Sequence, residues 1–135
     1  MNIKHMKIAI AFLNNLPTTD KFDMTFFIAN DNVDGAPLDY KNINECGTSA
    51  CVVGWTPTMP GMPLPDMDED WEDYSERVYE LDICSKAWSW CFSEHWAEID
   101  NSPQGAAARM QYLLDKSHLD DIDGRNYMFS IEELK

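Results

Sequence analysis

Apolar residues recur three and four positions apart along several stretches of this chain, and that period predicts helices packed by one face. Over Asn2 to Leu16 the stripe is Met6, Ala9, Ile10, Leu13 and Leu16. It ends at Leu16-Pro17, because proline disfavours a helical residue before it. Trp71, Tyr74, Val78 and Leu81 make a second stripe within a very acidic stretch. Cys84 to Ile99 reads as a central helix with Trp88, Cys91, Phe92, His95 and Ile99 on one face. Trp90 and Trp96 lie off that face, so this helix is expected to pack on more than one side. Asn101-Ser102-Pro103 then supplies an N-cap and a proline at the first helical position. Ala106, Ala107, Met110, Leu113 and Leu114 follow as an apolar stripe. The pattern predicts a mainly α fold of four or five helices with long loops, in one domain spanning residues 1–135.

The intervening segments are irregular. Phe22, Met24, Phe26 and Phe27 are a compact apolar cluster, suited to a short extended piece or a plug at one end of the core. Residues 30–45 are rich in Asn, Asp, Gly and Pro and read as a long loop. In the segment Cys46 to Trp55, Thr48 or Ser49 is a candidate cap for a short helix. Four prolines between Thr56 and Pro65 forbid a regular helix there. Ser117 to Asp123 is polar and acidic, and Ile131 to Lys135 is expected to form a last helical turn.

Charge changes the picture most. The 135 residues carry 24 acidic and 10 basic side chains, a formal net charge of −14, yet 44% are hydrophobic, enough for a core. Between Asp66 and Asp82 stand nine acids and one base, Arg77. The apolar stripe through this run predicts an amphipathic helix with a solvated acidic face, and acids near its start favour the helix N-terminus. Such a surface repels phosphate backbones and anionic lipid, so direct nucleic-acid binding and membrane binding are not expected. A basic protein partner fits, since opposite fields steer association. The expected contact residues are Asp66, Asp68, Glu69, Asp70, Asp73, Glu76 and Glu80. Solubility alone accounts for the same charges. No apolar run reaches the length of roughly 18 residues that a membrane span needs. The N-terminal stretch lacks the pattern of a secretory signal. The expected location is the cytoplasm.

The four cysteines offer chemistry on paper. Cys46 and Cys51 form a C-x4-C pair, at the upper margin of zinc-ligand spacing, and Cys91 and His95 are four apart on one expected helix face. Together they would make a Cys3His zinc site, with Cys84 as an alternate. No C-x2-C knuckle accompanies them, and cysteine is often buried as a small hydrophobe. The leading expectation is reduced, mostly buried thiols and no cofactor. A cysteine enzyme is the other reading: Cys46 as nucleophile before a short helix, His95 or His118 as base, Asn101 or an acid to orient the imidazole. The carboxylates of Asp66 to Asp70 lack the calcium-loop pattern, and neither phosphate-binding glycine motif is present.

The run Cys46-Gly47-Thr48-Ser49-Ala50-Cys51-Val52-Val53-Gly54-Trp55 resembles a C-G-T-x-x-C-x-x-G signature of small uncharacterised bacteriophage and bacterial proteins. Aromatic residues on a helix, here Trp88, Trp90 and Phe92, and then a small-residue helix, here Gly105 to Met110, extend the resemblance over roughly residues 46 to 116. It implies a phage origin and hence, if phage-encoded, the host cytoplasm. It implies no catalytic role. The acidic run is heavier than that pattern. A small acidic phage-type protein is expected to bind and modulate or inhibit a host protein, such as a defence or nucleic-acid-handling factor. A DNA mimic is an alternative, with carboxylates standing where phosphates would.

Overall fold

A computed structural model of the chain describes residues 1–16, 21–30, 41, 43 and 48–116. Among the described residues, five helices and a two-stranded sheet make up the fold. Most of the loop expected over 30–45, residues Cys46 and Gly47, and everything after Lys116 lie outside the described residues.

Helix α1 runs Ile3–Asn15. Asn2 caps it, its side chain accepting from the His5 amide at 3.0 Å. Met6, Ala9 and Leu13 are buried, three of the five stripe residues, and Ile10 and Leu16 pack partly against the core. The start of α1 is tied to the end of α3 (Trp71–Tyr79). The Asn2 amide donates to Tyr79 O at 2.8 Å, and His5 Nδ1 lies 2.6 Å from Val78 O.

Strand β1 is Ile28–Asn30 and β2 is Thr48–Ala50, antiparallel with Ile28 opposite Ala50. The other edge of β2 is also occupied. Ala50 N donates to Lys21 O and Asp23 N to Ala50 O, both at 3.0 Å, giving a parallel bridge at Phe22. Thr48 and Ser49 are therefore strand residues and not helix caps. The short helix begins later, as α2 over Val52–Trp55, and its N-cap is Cys51, which makes no side-chain capping bond. A 3-10 turn over Thr56–Thr58 follows, and the proline-rich stretch after it contains no helix.

Helix α3 is capped by Asp70, whose carboxylate accepts from the Asp73 amide at 2.7 Å. It stops at Glu80, which adopts the left-handed conformation (φ 54°) and donates its amide to Glu76 O. Tyr74, Val78 and Leu81 are buried and Trp71 packs against them at the edge, so the acidic stretch uses the face its period predicts.

The expected central helix is broken in two. Helix α4 covers Lys86–Phe92, and a 3-10 turn covers Glu94–Glu98. Between them Ser93 is extended (φ −61°, ψ 137°), and its hydroxyl accepts from the His95 amide. The break rotates the following residues. Trp96 comes to lie fully buried beneath Trp90, edge-on at 5.5 Å, with its indole N–H on Trp90 O at 2.8 Å. His95 is turned to the surface, off the apolar face that a continuous helix would have given it.

Helix α5, Pro103–Lys116, starts as its sequence signal predicts: the Gly105 amide donates to Ser102 Oγ at 3.0 Å. Ala106, Ala107, Met110 and Leu113 are buried, and α5 packs chiefly on α1 and then on α4. Arg109 on this helix is buried. Its guanidinium stands 4.5 Å over the Trp96 ring and Nη1 donates to Asp100 O at 3.2 Å, while Nε and Nη2 meet no acceptor among the described residues. Burial pushes this group down to about 10, partly offset by Asp100 and Cys91. The attraction of the Trp96 ring compensates part of the desolvation.

Candidate functional site

The acidic segment divides its carboxylates between structure and surface. Glu69 grips Arg77 with both oxygens, at 2.8 Å to Nε and 2.7 Å to Nη2, and Arg77 also donates to Leu64 O at 2.9 Å. The Arg77 hydrogen bonds hold the Glu69 carboxyl below its usual range, and Glu69 raises Arg77 in turn. Glu76 accepts from the Ile83 amide at 2.7 Å and so fixes the turn after α3. Asp70 is the helix cap. Of the seven residues expected at a partner surface, Glu69, Asp70 and Glu76 therefore have structural partners. Asp66, Asp68, Asp73 and Glu80 are exposed, as are Glu72 and Asp82.

The same edge carries two apolar side chains in water. Met67 is 98% exposed and Leu64 54% exposed. Met67 lies in the turn that the Glu69 amide closes on Asp66 O at 3.1 Å, and Leu64 is held in a stiffened loop. Pro63 and Pro65 restrict it, Tyr74 Oη donates to Pro63 O at 2.6 Å, and Arg77 holds Leu64 O. Sequence reasoning missed both residues. The signal was Met67 placed between Asp66 and Asp68, where an apolar side chain has no core to reach.

Beside this edge lies a cleft of about 480 Å³. One wall comes from Met24, Thr25 and Phe27, another from Trp88, Ser89 and Phe92 of α4, and Glu72, Glu94 and His95 stand around it. Trp88 is fixed by its indole N–H on Ser75 Oγ at 2.8 Å, and it meets Phe92 edge-on at 5.6 Å. Phe27 stacks on Trp71 at 6.5 Å. Cys51 also lines the cleft.

The cysteine candidates come out as follows. Cys46 lies outside the described residues, as does His118. Cys51, Cys84 and Cys91 are free thiols, Cys84 exposed and the other two buried. Burial pushes Cys51 up to about 11, although the amides of Gly54 and Val53 and its own favour the thiolate. Burial pushes Cys91 up to about 12, with Arg109 opposing. Both are neutral thiols at neutral pH, the opposite of what a nucleophile needs. Cys51 and His95 do line one cleft, but among the described residues no three His, Cys, Asp or Glu side chains gather as a metal site would require. Among the described residues Asn101 is bonded to no imidazole. Its Oδ1 accepts from the Met24 amide at 2.7 Å and its Nδ2 donates to Asp23.

Among the described residues no helix is long and apolar enough to cross a membrane. The chain matches no protein-family model, no curated protein and no solved structure, so the resemblance of the Cys46 to Trp55 segment rests on its own residues.

Proposed function

We propose that this protein is a binding protein whose segment from Leu64 to Asp82 docks on a basic face of another protein. One observation supports this above the others: Met67 is 98% exposed and stands in the chain between two exposed carboxylates, Asp66 and Asp68. Charge alone serves solubility, whereas an apolar side chain left wholly in water adds nothing to it. An apolar anchor within a charged rim is how protein interfaces are built. The carboxylates speed the encounter, and Met67 with Leu64 supplies area to bury. The phage resemblance makes the partner a host protein, which docking here would modulate or inhibit. The DNA-mimic alternative has less support, because it asks for carboxylates along an elongated face and these are concentrated on one edge.

The test reverses exposed charges outside the helix cap, the ion pair and the turn after α3. Asp66→Lys, Asp68→Lys and Asp73→Lys together leave the Asp70 cap, the Glu69–Arg77 pair and the Glu76 turn intact. The partner captured from host lysate on the wild-type protein is then followed by association rate at low salt. The triple variant is expected to associate about tenfold or more slowly, with its circular dichroism and melting near wild type. Met67→Ser is expected to speed dissociation. Wild-type rates in the folded triple variant sink the reading.

A further inference from the structure

We propose that the cleft beside α3 receives the side chain of an arginine from the docked partner; this rests on the docking role of the acidic edge and gives it a specific pocket. The cleft combines the two features that select an organic cation. Its walls are aromatic, from Phe27, Trp88 and Phe92, and among the described residues that line it stand the carboxylates of Glu72 and Glu94 with His95 and no Lys or Arg. A guanidinium is weakly hydrated, stacks on aromatic rings and donates in a planar fork to carboxylates, so this pairing suits it better than an ammonium. The pocket is preorganised. Trp88 is held by Ser75, Phe27 is stacked on Trp71, and the Ser93 break that ends α4 carries Glu94 to the rim. At about 480 Å³ the cleft falls in the range of small-ligand sites, wide enough for a side chain and the backbone on either side of it. Glu72 belongs to α3, so the cleft shares one carboxylate with the acidic segment of the docking surface.

The experiment titrates the isotope-labelled protein with N-acetyl-arginine amide and, separately, with N-acetyl-citrulline amide, which keeps the shape and loses the charge. Arginine amide is expected to shift the Trp88 indole N–H and the amides of Ser89, Glu94 and His95 in a saturable way. Citrulline amide is expected to bind roughly tenfold more weakly. N-acetyl-lysine amide should fall between them. Glu72→Gln with Glu94→Gln should abolish the arginine response while the melting temperature stays near wild type, since both carboxylates are exposed. Equal responses to arginine and citrulline, shifts spread over the whole acidic edge, or an unchanged response in the double glutamine variant would each overturn the pocket. The two readings fail separately. A silent cleft together with slow association of the Asp66, Asp68 and Asp73 variant removes the arginine pocket and keeps the docking edge. An arginine response confined to the cleft, with wild-type association in that variant, removes the docking edge and keeps the pocket.

Discussion

Gly54→Ala is expected to cost about 4 kcal/mol or more, and to lower the melting temperature by roughly 10–20 °C. In isolation the change should help, since alanine is the better helix former by about 1 kcal/mol and Gly54 sits inside α2. Packing decides the sign. A Cβ on Gly54 would lie 1.8 Å from Phe27 O and 2.7 Å from the Ala50 Cβ. The nearest obstacle is a backbone carbonyl, and that backbone cannot easily retreat. Phe26 O accepts from the Cys51 amide at 3.1 Å, and Ile28 pairs with Ala50 in the sheet. Relief of the clash must therefore pull apart β1, β2 and the start of α2 together. The glycine of the C-G-T-x-x-C-x-x-G segment thus has a physical reason that involves no ligand. Gly61→Ala is the comparator. Gly61 has φ +87° but only the Ile8 Cδ1 at 3.6 Å, so its cost should stay near 1 kcal/mol, the penalty of a left-handed alanine. Urea melts of both variants check this, and a Gly54→Ala midpoint equal to wild type would show that the approach is looser than described.

The helices were legible where apolar period and end signals agreed. Ser102-Pro103 opened α5 as read, and the stripe of α3 turned inward despite the acids around it. Two local errors have one cause: the deciding partner is distant in sequence. Thr48 and Ser49 have the composition of caps, but the segment 21–30 flanks Ala50 on both edges and makes 48–50 a strand. Nothing near Thr48 in the sequence announces that. At Ser93 the helical period continues through Phe92 to His95 and Ile99, yet the chain breaks there. The gain is the burial of Trp96 against Trp90 and Arg109, a tertiary term larger than one helical turn. The cleft was invisible for the same reason, since its walls come from residues 24–27, 51, 72 and 88–95. The acidic edge was legible as charge, but the structural duties of Glu69, Asp70 and Glu76 needed the fold.

Alkaline pH is expected to destabilise the protein by about 3 kcal/mol between pH 8 and pH 10 through Cys51 and Cys91 alone. Both thiols ordinarily lose a proton near 9.0, but burial raises them to about 11 and about 12 in the folded chain. Unfolding exposes them and restores the ordinary value. Below pH 9 both states hold the proton, so these groups contribute no slope. Above it the unfolded chain releases protons that the folded chain keeps, and stability falls at about 1.4 kcal/mol per pH unit for each thiol. The fall ends as pH passes the folded values. Tyr79 adds the same sign later: burial raises its phenol despite the Thr56 hydrogen bond, and it begins to contribute only above its ordinary 10.0. Urea unfolding at half-unit steps from pH 7 to 10.5 reads the slope. Cys91→Ala should lower stability at neutral pH, because it empties buried volume, yet it should remove about half of the alkaline slope. Cys51→Ala should remove the other half of the thiol part, leaving Tyr79 and the opposite-signed contribution of Arg109, whose folded value is lowered to about 10. Thiolate absorbance near 240 nm gives an independent reading, since Cys51 and Cys91 should stay silent in the folded wild type at pH 10 until denaturant is added. An alkaline slope unchanged in the Cys51→Ala, Cys91→Ala double variant would mean that neither thiol is sealed from water, and would reopen Cys51, which lines the same cleft as His95, as a candidate nucleophile.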